Sequence, residues 1–202
     1  MINISNISLS LTGKTIMFLA LFFFAQISYS HPHEFANVEL KLNIKQDNTI
    51  YIQISWEFDE MSSLMLIEDF DKNRDGKFDI NEVIKVEQDA FEVLKEIDFY
   101  AYMAINNTKY PIKSYKNFNV SIKNYKVIYQ FTILEKKVTE EKINDFTIYF
   151  ADSDNYTAFF LKKENIRVIV DESVKYTFDV KEVEYKHFIC DQLHIAINRV
   201  KE

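Results

Sequence analysis

The chain holds two glycines in 202 residues, and only Gly76 lies beyond the first thirty. A backbone so short of glycine has few places where a positive φ costs nothing, so the place it keeps one is informative. Gly76 sits in DKNRDGKFDINE, Asp71 to Glu82. This segment matches the twelve-residue calcium loop of an EF-hand, with glycine at the sharp sixth position. Asp71, Asn73 and Asp75 take the first three ligand positions, and Lys77 offers its backbone carbonyl at the next. Asp79 follows, at a position that often acts through water, and Glu82 closes the loop as the bidentate ligand. The competing reading of these residues is a solvated acidic turn between two helices.

An EF-hand needs a helix on each side. Phe58, Met61, Leu64, Met65 and Phe70 place apolar side chains at near-helical spacing before the loop. Ile80, Val83, Ile84, Ala90, Phe91, Leu94 and Ile97 form a stripe after it, broken at Glu87. The pattern predicts a helix–loop–helix over 59–98. No second loop of this kind occurs in the chain. A lone hand outside the cytosol is expected to bind calcium weakly, with a Kd of about 10⁻⁴ to 10⁻³ M.

The rest reads as β. Val38, Leu40, Leu42 and Ile44 alternate with polar residues. After a turn at 46–49, Ile50, Ile52, Ile54, Trp56 and Phe58 alternate again. This is a hairpin with one buried face. A second hairpin is expected across Asn106-Asn107, joining 100–105 to 109–112. Further strands are expected at 118–123, 126–134, 145–151, 157–161, 166–170 and 176–180. The fold class is therefore α+β: a mainly antiparallel, sandwich-like β domain with the EF-hand inserted, closed by a short C-terminal helix over 187–202. The 12 Tyr and 18 Phe are read as core and strand residues.

The first thirty residues carry one positive charge, Lys14, and no acid, with an apolar run over 16–25 and Ser28-Tyr29-Ser30 after it. The pattern is that of a secretory signal peptide, cleaved after Ser30, and the run is too short to span a bilayer comfortably. An uncleaved N-terminal anchor is the alternative. Cleavage leaves a single domain over 31–202. The formal net charge of −7 becomes −8 with the loss of Lys14. Such a chain is a poor partner for nucleic acid or anionic membranes and a better one for cations. Cys190 is the sole cysteine, so no intramolecular disulfide can form.

Cleavage would expose His31-Pro32-His33 as the new N-terminus. The α-amine, His31 and His33 together offer three nitrogens suited to Zn, Ni, Co or Cu, and need a fourth ligand from the fold. Pro32 removes the amide that a square-planar N-terminal copper or nickel site must deprotonate. His187, Cys190 and His194 would share one face of a helix and offer N, S and N ligands, although packing of Phe188, Ile189, Leu193 and Ile197 explains the same segment. No nucleophile–base pair, P-loop or dinucleotide fingerprint is present.

The order HPHEF (His31–Phe35), WEFDE (Trp56–Glu60), the acidic loop, DFYAYM (Asp98–Met103) and FADSDNYTAFF (Phe150–Phe160) resembles Domain-of-Unknown-Function family 1007. Ser153 stands where that family's pattern leads one to expect Pro. The resemblance implies a periplasmic protein associated with nickel/cobalt-type or ABC-type transport. Three functions are then open. The first is a non-enzymatic periplasmic accessory to a membrane metal transporter, calcium in the EF-hand and a transition metal at His31 and His33. The second is a calcium-stiffened interaction module. The third is a copper enzyme built on an N-terminal histidine brace.

Overall fold

A computed structural model describes residues 32–137, 143–171 and 174–199. The expected signal segment, its cleavage point and His31 lie outside the described residues.

The first hairpin forms as its alternation requires. β1 (Glu34–Ile44) and β2 (Thr49–Phe58) pair antiparallel from Ala36↔Phe58 to Ile44↔Ile50. Ala36, Val38, Leu40, Leu42 and Ile44 face Ile50, Ile52, Ile54, Trp56 and Phe58 inward, all buried. Lys45 N–H donates to Thr49 O (2.9 Å), and Asn48 takes φ +66° in the turn. Asparagine tolerates that left-handed conformation better than most residues.

β3 (Ala101–Ile105) and β4 (Thr108–Tyr110) form the expected second hairpin. Asn106 and Asn107 both have positive φ, +49° and +63°, the conformation a two-residue primed turn demands. β5 (Lys116–Lys123), β6 (Lys126–Lys137), β7 (Asp145–Phe150), β8 (Thr157–Phe160), β9 (Ile166–Val170) and β10 (Val174–Tyr185) follow within a few residues of expectation.

Two sheets result. One runs β5-β6-β2-β1-β8, with β9 also on β1; the other runs β10-β11-β7-β3-β4. The first sheet is mixed, because β8 and β9 lie parallel to β1, one after the other along its edge. Residues from both sheets share one core, in which the Trp56 ring meets Phe131 (4.8 Å), Phe159 (5.1 Å), Phe91 (6.3 Å) and Phe150 (6.4 Å).

The C-terminal helix is a correction. Residues 188–199 form β11 (Phe188–Arg199), paired along its length with β10 and with β7 over Gln192–Ala196. Leu193, Ile195 and Ile197 are buried at period two, and two ladders of backbone hydrogen bonds outweigh the weak helical spacing of the same residues. His187 therefore lies in the turn before β11, not on a helix face.

Between the sheets' strands β2 and β3 stands a helix–loop–helix. α1 (Glu60–Phe70) starts at Asp59, whose Oδ1 accepts from Met61 N–H (2.7 Å) and Ser62 N–H (3.0 Å). α2 (Ile80–Val86) starts at Asp79 with a reciprocal capping box to Glu82. The chain then switches to a π turn over Glu87–Phe91 and a 3₁₀ stretch from Glu92 that kinks at Ile97, with Asp98, Phe99 and Tyr100 at positive φ. The switch falls at Glu87, where the apolar stripe breaks. It turns Val86 and Phe91, five residues apart, both into the core.

The faces these helices bury match the expected ones in part: Phe70, Val83, Ala90, Phe91 and Leu94 reach the core. Met61, Leu64, Met65, Ile80, Ile84 and Ile97 are exposed. Ser62 and Ser63 are buried instead, with Leu66, Ile67 and Phe70 packed against the core. Ser63 makes its burial tolerable by donating to Phe58 O (3.3 Å) and accepting from Val127 N–H (2.9 Å).

Candidate functional site

The acidic loop joins α1 to α2, and its side chains turn inward onto their own backbone. Asp71 Oδ2 accepts from Gly76 N–H (2.9 Å) and Oδ1 from Asp75 N–H (3.2 Å). Asn73 Oδ1 accepts from Asp75 N–H (2.8 Å), and Asp75 Oδ1 from Lys77 N–H (2.9 Å). Glu82 Oε1 accepts from Lys72 N–H (2.8 Å), while its Oε2 accepts from Asp79 N–H (2.9 Å). Glu82 thus clasps both ends of the loop. Gly76 has φ +77°, with nothing within 4 Å of where a Cβ would stand, so glycine is needed there for conformation and not for space.

Asp71 and Glu82 are buried, at 5% and 8% exposure, and no basic side chain pairs with either among the described residues. Uncompensated carboxylates at that burial are unusual. Each still has acceptor capacity beyond the amide bonds, since a carboxylate offers about four lone-pair sites. Together with Asn73 Oδ1, Asp75 and the Lys77 carbonyl, the loop supplies the hard oxygen donors that suit calcium. Its carboxylates stand on loop amides, however, and no three His, Cys, Asp or Glu side chains are already gathered to hold a metal among the described residues.

The described histidines are dispersed. His33 is exposed, its ring 5.4 Å from that of Tyr156, and its N–H donates to Tyr156 O (2.8 Å). Asp152 and Asp154, which could have completed a site there, serve the loop after β7. Asp152 is buried and accepts from the N–H groups of Asp154, Tyr156 and Thr157 at 3.0–3.1 Å. His194 Nε2 is instead hydrogen-bonded to Asp145 Oδ2 on the neighbouring strand β7. Cys190 is buried, and burial with the adjacent Asp191 charge pushes its thiol up to about 11. The candidate cluster of His187, Cys190 and His194 is not assembled.

A second polar group was not foreseen. Glu34 has the inward parity of β1, in line with Ala36 and Val38, and is half-buried. Its register partner on β8 is Thr157, whose Oγ1 donates to Glu34 Oε2 (3.1 Å). Asp59 is close by: its Oδ2 accepts from Phe35 N–H (2.8 Å) and Ser62 Oγ–H (2.8 Å). Burial, then the charges of Asp152 and Glu34, pushes the Tyr100 hydroxyl up to about 12. Burial with Glu34 also pushes Tyr129 up. The available signal was an acid at an inward strand position.

No helix of the described residues is long and apolar enough to cross a membrane. No curated protein matches the chain. A crystal structure from Parabacteroides distasonis ATCC 8503, described as a candidate protease, is similar at 9% identity and a TM-score of 0.29, over 84% of this chain. The chain spans 36% of that protein, and a likeness so distant carries no argument. A family model described as protein of unknown function (DUF1007) matches residues 16–191. The expected family is thereby shown, and the chain belongs to DUF1007.

Proposed function

We propose that this is an exported, non-enzymatic calcium-binding protein whose EF-hand loop, Asp71 to Glu82, stiffens a helical insertion on a β scaffold. The observation that carries this reading is the burial of Asp71 and Glu82, the loop's first and last acids, without a cationic partner among the described residues. Both positions are those from which an EF-hand draws its ion. Asp71, Asn73, Asp75, the Lys77 carbonyl, Asp79 and Glu82 would hold calcium. The ion would supply the cationic partner that Asp71 and Glu82 lack among the described residues, and the ligand oxygens must draw closer together than they now stand. The loop amides that donate to these carboxylates orient them beforehand, which lowers the ordering cost of binding.

Export follows from the signal pattern of the first thirty residues, and the periplasm from the family's setting. A role beside a membrane metal transporter is the part of the proposal that uses His31 and His33 with Zn, Ni, Co or Cu. His33 supports it by leaving its ring exposed.

Calorimetric titration of the processed protein with calcium tests the loop. The expected isotherm is weak, with a Kd of about 10⁻⁴ to 10⁻³ M, and is lost in Asp71→Ala and Glu82→Ala. Equal isotherms in wild type and both variants would refute the ligand assignment. Metal content of the same preparation, with and without His33→Ala, tests the N-terminal site separately.

A further inference from the structure

β10 closes one end of the second sheet, and among the described residues no strand pairs with its outer side. A free edge invites another chain, so most edges are kept short, bulged or covered. The other edges here follow that rule. β4 has 3 residues, β8 has 4 and β9 has 5. β5 has 8, but its register slips between Lys116 and Asn119. β10 has 12 residues, no proline and no register shift against β11.

The backbone groups on the open side belong to the even-numbered residues. Ile197 of β11 donates its N–H to Asn144 O (2.8 Å), away from β10. Its register partner Tyr176 therefore turns its own N–H and C=O away from β11. By period two, Phe178, Val180, Glu182 and Glu184 do the same. Val180 agrees: its N–H donates to the adjacent Asp179 Oδ1 (3.0 Å), a group outside the β11 ladder.

We propose that β10 pairs antiparallel with β10 of a second copy of this chain, about a two-fold axis at Val180. Outward groups at even positions alone require even residues to oppose even ones, which puts the axis on a residue and not between two. Charge then selects which residue. An axis at Asp179 sets aspartate against aspartate, and one at Lys181 sets lysine against lysine. An axis at Phe178 opposes Lys175 to Lys181, and one at Glu182 opposes glutamate to glutamate. The axis at Val180 sets Asp179 of each copy against Lys181 of the other, with no like charges directly opposed. Both side chains are exposed. Opposite charges across a strand pair stabilise it, and like charges oppose it. Lys163 reaches over this edge to Asp179 (3.7 Å) and the Phe178 ring (5.3 Å), but that ion pair is more than half exposed and can be exchanged for Lys181 of the second copy. The pairing does not involve the calcium loop.

Sedimentation velocity of the processed protein over a concentration series reads the association. The expected result is a monomer–dimer equilibrium with a Kd below about 100 μM, with or without calcium. Asp179→Lys sets lysine against lysine and is expected to weaken the dimer at least about tenfold. Adding Lys181→Asp to it restores opposite charges and is expected to restore the dimer. Val180→Pro removes an outward N–H while leaving the β11 ladder intact, and is expected to weaken the dimer as much. A wild type that stays monomeric throughout the series would overturn the proposal. A dimer unchanged by Asp179→Lys and Val180→Pro would overturn it too, because the copies then meet elsewhere, such as on the exposed face of α1. Thermal melting checks the folding of each variant. The charge swap uses exposed side chains and decides the matter even if Val180→Pro fails to fold.

Discussion

The β1–β2 hairpin and the α1–loop–α2 insertion are adjacent in sequence and obey different rules. In the hairpin, every apolar residue of the alternating pattern from Ala36 to Ile44 and from Ile50 to Phe58 is buried. In the insertion, Met61, Leu64, Met65, Ile80 and Ile84 face solvent while Ser62 and Ser63 are buried. A strand has only two faces, and a sheet fixes which is inward. A short helix can roll about its axis, and here local hydrogen bonds choose the roll. Asp59 caps α1 and joins it to Phe35, and Ser63 is pinned between Phe58 and Val127. The scaffold is thus held by apolar burial, and the insertion by polar anchors, by apolar side chains such as Leu66, Ile67 and Val86 set against the same core, and by an aromatic plug.

That plug is Phe91, and its removal is the hardest test of the division. It is fully buried against Phe118 (4.4 Å), Phe131 (4.7 Å) and Tyr115 (4.9 Å). Phe91→Ala is expected to cost about 3–5 kcal/mol in urea denaturation. A loss under 1 kcal/mol would mean that the insertion does not share the scaffold's core. Asp59→Ala comes next, at about 0.5–2 kcal/mol, the usual cost of a lost N-cap.

Asp59 also sets a pH dependence. Burial raises its pKa, but hydrogen bonds from Ser62, Phe35 and Met61 outweigh that and hold it below its ordinary value. A depressed folded pKa means that this contribution is present above the ordinary carboxylate range and is lost as pH falls through the depressed value. The pH profile of stability in Asp59→Asn should therefore be flatter on the acid side than the wild type's. The smallest effect belongs to the exposed face: Leu64→Gln is expected to change stability by no more than about 0.5 kcal/mol. A large loss there would mean that α1 buries the face its hydropathy suggests.

The same contrast explains what the sequence disclosed. Alternation in β1 and β2 is unambiguous because it is long and strict. The asparagine pair at 106–107 marks its turn through backbone conformation alone. The stretch over 187–202 misled because its histidines and Cys190 sit at helical spacing, while Leu193, Ile195 and Ile197 carry the period-two signal that the ladders to β10 and β7 enforce. The buried side of α1 was illegible because hydropathy cannot see that Ser63 has partners 5 and 64 residues away. The loop's candidate ligands were read from spacing alone, and Gly76 adopts the positive φ that its position calls for. Glu34 was illegible because an acid at the start of a strand reads as a polar strand end, and its partner Thr157 is 123 residues away.

The most direct test of the account is hydrogen–deuterium exchange of the processed protein with and without calcium. The account predicts that calcium raises protection across α1, the 71–82 loop and α2, and leaves β1 and β2 unchanged. Protection that is indifferent to calcium in the loop, or that rises equally in the hairpin, would contradict it.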